Sequence, residues 1–277
     1  MQERRRSGEI LALLVLFFAI TVVTVAGFSW RSWAPEVASE HGVGVDGVIR
    51  YLLLTTGAVL IIGASALMWF VWKYGRDRPT GAPQLSRRSE LLVSLLPVFV
   101  MALISETGVL LKGLPVWEQV YGEAPDGALV IEVTGKQFEW IVRYAGSDDE
   151  FGRTTPALID NVANMGGLDP EDPAGTDDIV LRNQVHVVVG RPVALQLRAR
   201  DVLHSFSVPA MRIKQDAIPG AIIPTHFVPT RTGEFEIACA ELCGMGHYRM
   251  RARVVVHEPA AFEDWLAERS GTAGGAE

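Results

Sequence analysis

The sequence predicts a membrane-anchored all-β protein, with transmembrane helices first and a domain of short strands after them. Three observations carry this prediction. Long apolar runs occupy the first 112 residues. From Val130 onward, short apolar and alternating segments broken by Pro and Gly take their place. The only two cysteines, Cys239 and Cys243, sit in a cluster of His and Met in the last quarter of the chain.

The apolar runs span about Ile10 to Phe28, Val48 to Trp72 and Leu91 to Leu111. Each is close to the ~20 residues that carry a helix across the hydrocarbon core. Glu106 is the one charge well inside a run. Arg4, Arg5 and Arg6 precede the first run, and Lys73, Arg76, Arg78, Arg87 and Arg88 crowd the link between the second and third. Basic loops stay in the cytoplasm, so the N-terminus and residues 73–90 are placed there and everything after residue 112 outside. The first run has two readings, an uncleaved helix or a secretory signal within residues 1–30. The second reading has a possible cleavage site in the small residues at Val37-Ala38-Ser39. The orientation downstream is the same in both. Residues 48–112 form a two-helix transmembrane hairpin, 113–270 the outer domain and 271–277 a tail.

In the outer domain, Leu129–Thr134, Gln184–Val189, Val193–Arg198, Glu234–Ala238 and Arg253–His257 read as strands. Pro209, Pro219-Gly220, Pro224 and Pro229 punctuate them. Many short strands of this kind suggest an antiparallel sandwich or barrel. A helix over Ala260–Arg269 closes it. Residues 145–182 read as a loop-like insertion with nine acidic residues, among them Asp148, Asp160, Asp169, Asp172, Asp177 and Asp178. It is a solvated insertion, a docking surface for a cationic partner, or a calcium loop without EF-hand spacing.

The formal net charge of -7 is unevenly spread. The first 112 residues carry 11 Lys/Arg against 8 Asp/Glu, and the rest 14 against 24. An acidic outer domain repels nucleic-acid phosphates, which excludes that class of partner.

The metal argument rests on Cys239-Ala240-Glu241-Leu242-Cys243-Gly244-Met245-Gly246-His247-Tyr248-Arg249-Met250, with His204 on a distant segment. Two thiolates, two imidazoles and a thioether are ligands that suit copper. Other readings of the cysteines are a disulfide in an oxidising compartment and a zinc site, for which Met is a poor ligand. A mononuclear copper centre needs one cysteine, whereas two thiolates can bridge two metals.

This pattern, with Asp201-Val202-Leu203-His204-Ser205-Phe206 and Val208–Gly220, resembles subunit II of the haem–copper cytochrome c oxidases. The resemblance covers about residues 48–268 and implies a cupredoxin-like Greek-key β-barrel on a helical hairpin. It implies a dinuclear copper A centre: Cys239 and Cys243 bridge both ions, His204 and Met250 complete one, and His247 and the Glu241 carbonyl complete the other. The Glu241 side chain would share a magnesium ion with the catalytic subunit. The implied partners are catalytic subunit I, subunit III and a c-type cytochrome, and the implied place is a bacterial inner membrane with the copper domain on the periplasmic side. Glu90, seven residues before Pro97, matches a glutamate at the entrance of a proton path; it also reads as an acid favoured at a helix N-terminus capped by Ser86 or Ser89. The chain departs from the family at Gln137-Phe138-Glu139-Trp140, where Phe138 replaces the tryptophan that receives electrons. Phe138 or Trp140 then serves as electron entrance, and a tethered donor or a supercomplex becomes plausible. His41, His186, His226 and His257 match no ligand of the family. The alternative function is a membrane-anchored copper-carrying or assembly protein.

Overall fold

The computed structural model describes residues 2–30, 34–74 and 85–272. They fall into two compact units, residues 1–33 with 46–114, and residues 34–45 with 115–277. Residues 273–277 of the expected tail, and Arg76 and Arg78 of the basic link, lie outside the described residues.

The first unit is helical. Helices α1 (Gln2–Trp30), α2 (Glu40–Tyr74) and α3 (Arg87–Gly108) contain the three apolar runs. The spans Gly8–Gly27, Glu40–Tyr74 and Arg87–Tyr121 are each long and apolar enough to cross a membrane, with mean hydropathies of 2.8, 2.0 and 2.0. The 35 residues of α2 rise about 52 Å at 1.5 Å each, more than the hydrocarbon core requires. Ser86 caps α3, its hydroxyl accepting from the Ser89 amide at 3.3 Å, and Glu90 lies in the first turn. The Tyr51 hydroxyl of α2 donates to the Ile104 carbonyl of α3. Gly108 permits this approach, since a Cβ there would collide with the Tyr51 ring. A π-helical turn, Val109–Gly113, leads into α4 (Leu114–Tyr121). Glu106 is exposed on α3.

The second unit is a two-sheet sandwich. Ten strands follow in order: β1 (Leu129–Lys136), β2 (Glu139–Tyr144), β3 (Ile179–Arg182), β4 (Gln184–Val188), β5 (Val193–Ala199), β6 (His204–Val208), β7 (Ile213–Ala217), β8 (Ile223–Phe227), β9 (Gly233–Cys239) and β10 (Arg251–His257). One sheet has the order β3-β2-β1-β5-β8 and the other β4-β10-β9-β6-β7. The sheets are mixed, not purely antiparallel as expected, because β1 runs parallel to β5 and β10 parallel to β4. Ile131, Val133, Leu195 and Leu197 of the first sheet and Phe206, Ile237 and Val254 of the second share one core. Helix α5 (Pro259–Thr272) closes the domain, with Trp265 stacked on His186 at 4.3 Å.

Five strands escaped the sequence pattern, and β2 shows why. Burial covers every residue from Trp140 to Tyr144, so the alternation that marks a half-exposed strand is missing. Its Arg143 points into the insertion, where Asp178 accepts at 2.6 Å, Glu132 pairs at 3.0 Å and the Gly152 carbonyl takes a further hydrogen bond. The insertion's acids mostly serve its own loops. Asp160 caps the amides of Val162 and Ala163, Asp172 accepts from Arg153 N, and Asp177 from Ser147.

Candidate metal centre

The site forms where β9 ends and β10 begins, with β6 beside them. Cys239 is the last residue of β9, His204 the first of β6, and Met250 directly precedes β10. The loop between Cys239 and Met250 carries Glu241, Cys243 and His247 and ends in a single 3-10 turn, His247–Arg249. Strand β6 pairs with β9 at Phe206 opposite Cys239, which brings His204 to the loop from 35 residues away.

The donors converge. Both cysteines are free and buried, and their sulfurs lie 3.9 Å apart. The His204 Nδ1 is 3.9 Å from the Cys239 sulfur, and the His247 Nδ1 is 3.7 Å from that of Cys243. The Met250 Sδ lies 3.7 Å from Cys243 Sγ, and the Cys239 thiol donates to the Glu241 carbonyl at 3.2 Å. The ligand atoms of His204, Cys239 and Cys243 all lie within 4.8 Å of one another. All six expected donors therefore face one spot, and the set fits a soft cation such as copper.

Three residues that sequence reasoning did not assign to the site orient these ligands. The Asp201 carboxylate accepts from His204 Nε2 at 2.8 Å, which leaves Nδ1 free to face the sulfur. Asp201 also accepts from the Gln137 amide at 2.7 Å, and the Gln137 side chain donates to the Cys243 carbonyl at 2.6 Å. Gly246 lets the loop pass over Phe138, whose ring a Cβ would overlap. The signal for Asp201 was present, an acid three residues before a ligand histidine. The signal for Gln137 was not, because the contact is made across the fold.

The electrostatics separate the two thiols. Burial pushes the Cys239 thiol up, but hydrogen bonds from His204, the backbone of Ser205 and Glu241, and His247 outweigh it and bring it to about 6. Burial, then the negative charge of Cys239, pushes Cys243 up to about 11. Burial would lower His204, yet Cys239 and Asp201 hold it above its usual value. One thiolate thus stands ready at neutral pH beside an imidazole, an arrangement typical of reactive and metal-binding cysteines.

The two candidate electron entrances occupy different positions. Trp140 is fully buried, edge-on to His204 with ring centres 5.9 Å apart. Phe138 is half-buried against the Cys239–Met250 loop, with the Arg249 guanidinium 5.8 Å from its ring centre. Glu241 is half-buried. Glu90 belongs to the helical unit and lies on an exposed face of α3.

A cupredoxin-like sandwich that follows long apolar helices and gathers cysteine, histidine and methionine donors able to take a soft metal narrows the class of protein. A family profile described as the periplasmic domain of cytochrome c oxidase subunit II matches residues 129–258. The chain is 35% identical over 268 residues to an alternative cytochrome c oxidase subunit 2 of Bradyrhizobium diazoefficiens, covering 95% of this chain and 93% of that one. It is 26% identical to a cytochrome c oxidase subunit 2 of Cereibacter sphaeroides, covering 84% and 78%. Among solved structures it resembles the periplasmic domain of subunit II (CoxB) of Bradyrhizobium japonicum, with 25% identity, a TM-score of 0.42 and coverage of 55% of this chain and all of that one. The chain belongs to the cytochrome c oxidase subunit II family.

Proposed function

We propose that this protein is the electron-accepting subunit of a terminal cytochrome c oxidase and makes no bonds to oxygen itself. It takes electrons one at a time from a c-type cytochrome and passes them to haem in catalytic subunit I, where oxygen is reduced to water and protons are pumped. The observation that carries this reading is the convergence of four further donors on two free, buried thiols.

Cys239, Cys243, His204, His247, Met250 and the Glu241 carbonyl would hold a pair of copper ions. Such a centre supplies a one-electron couple whose charge is shared between two metals. The chain's own contribution is a fixed frame. The Cys239 and His204 ends of two paired strands, the Asp201–His204 hydrogen bond and the Gln137–Cys243 contact hold the donors in place. A rigid frame keeps reorganisation small, and burial keeps water away from the sulfurs.

The Glu241 side chain would share magnesium with subunit I. Phe138, in the β1–β2 turn against the Cys239–Met250 loop, would be the outer electron contact, and buried Trp140 an inner support for His204. With the family's tryptophan absent, the donor is a tethered cytochrome or a fixed supercomplex partner. Glu90 would stand at the cytoplasmic entrance of a proton path, with subunit III a further neighbour. The helices would sit in a bacterial inner membrane with the copper domain in the periplasm. The tests are Cys239→Ser and His204→Ala, each expected to abolish cytochrome oxidation while the chain still fractionates with the membrane. Undiminished turnover in either variant contradicts the assignment.

A further inference from the structure

Between α1 and α2 the chain does not simply turn. Residues 34–45, which include the first turns of α2, group with the β-sandwich and not with the rest of the helices. Ala38 and Ser39 have no exposed surface, and Ala38 belongs to the sandwich core. The Ala38 amide donates to the Ala210 carbonyl at 2.8 Å, and the Ala38 carbonyl accepts from the Thr230 amide at 2.9 Å. The Glu40 amide donates to the Val228 carbonyl at 3.1 Å, and the Ser39 hydroxyl to the Met211 carbonyl at 2.8 Å. Before the buried pair, Arg212 donates to the Pro35 carbonyl at 2.9 Å and Arg231 pairs with Glu36 at 2.7 Å.

These contacts have a common target. Val228, Pro229 and Thr230 lead out of β8, the edge strand of its sheet, and Ser39 forms an antiparallel bridge with Pro229. Ala210 and Met211 lie between β6 and β7 at the edge of the other sheet. The segment spans both edges on one side of the sandwich, where exposed backbone would otherwise invite pairing with another chain.

We propose that residues 34–45 are a permanent strap of the outer domain, retained in the mature protein, and that no proteolytic maturation occurs at Val37-Ala38-Ser39. Cleavage there would discard the Pro35 and Glu36 contacts. Cleavage after Ser39 would also remove the buried Ala38 and Ser39, and with them the hydrogen bonds to Ala210, Thr230 and Met211 that tie the segment to the sandwich. Removal of a leader therefore ends before Ala34.

The test is N-terminal sequencing and intact-mass measurement of the full protein purified from membranes. The expected mature N-terminus lies at or before Ala34, and one anywhere from Pro35 to Val45 overturns the proposal. Hydrogen exchange on the same sample gives a second reading. The amides of Ala38 and Glu40 should exchange at least about 100-fold more slowly than unstructured backbone, as paired sheet amides do. Exchange at the rate of exposed loop would overturn the strap. Neither measurement reads copper or electron transfer, so the result is independent of the proposed function.

Discussion

Asp201 is a single acid whose carboxylate links two parts of the metal centre. One oxygen takes the His204 Nε2 proton at 2.8 Å and the other the Gln137 amide at 2.7 Å. Replacing a carboxylate that orients a metal-bound imidazole typically costs 10–100-fold in metal affinity or activity. Asp201→Asn should therefore weaken copper retention by about that factor, read as copper per protein after dialysis against a chelator. Retention equal to the parent protein would show that the contact is incidental. The cluster of soft donors was legible, because Cys239, Cys243, His247 and Met250 sit at fixed short spacing in the sequence. Trp140 was legible only as an aromatic. Its full burial against His204 depends on β1, β2 and β6 meeting, which no local pattern encodes.

Among the elements, β1, β2 and β5 show one limit of sequence patterning. Strands β1 and β5 alternate half-buried and buried residues and were found, whereas β2 is buried from Trp140 to Tyr144 and was not. The insertion shows the same effect from the other side. Its acids read as a charged surface, but Asp178 is buried on Arg143, and Asp160, Asp172 and Asp177 hold backbone amides. Burial pushes Asp178 above its usual range although Arg143 opposes it. Arg143→Ala would leave Asp178 and Glu132 facing each other without their cation, at a cost of about 3–5 kcal/mol, the range for breaking a buried pair. Asp178→Ala should cost less, because Arg143 keeps Glu132 at 3.0 Å. Thermal melts of the two variants check the order, and equal midpoints would contradict it. In the helical unit, Gly108→Leu should separate α2 from α3 at Tyr51. Faster proteolysis of the hairpin in membranes is the expected readout, and an unchanged rate would show that the Tyr51 contact is dispensable.

At the scale of the whole molecule, two chemistries set conditions for stability and function. His186 and His257 share a hydrogen bond of 2.8 Å beneath Trp265 of α5. Burial, then His257 and Arg269, lower His186 from 6.5 to about 4, and burial lowers His257 as well. Between those pH values the unfolded chain binds a proton that the folded one does not, so stability rises with pH across the window. The unfolding midpoint of the purified protein should fall as pH drops from 6.5 toward 4, and His186→Gln should flatten that slope. The same slope in the variant would place the titration elsewhere. The general plan of helices, sandwich and Cys–His–Met loop was open to sequence reading because hydropathy and donor spacing are local. The mixed sheet pairing and the strap of residues 34–45 were not, since both depend on partners 60 or more residues away. The central claim remains that two thiols, two imidazoles, a thioether and a carbonyl hold a pair of coppers that relays electrons. It is tested most directly by electron paramagnetic resonance of the copper-loaded, membrane-purified protein. One unpaired electron shared equally by two copper nuclei, giving a seven-line hyperfine pattern, is the predicted result. A four-line pattern from a single copper, or zinc in the site by elemental analysis, would contradict it.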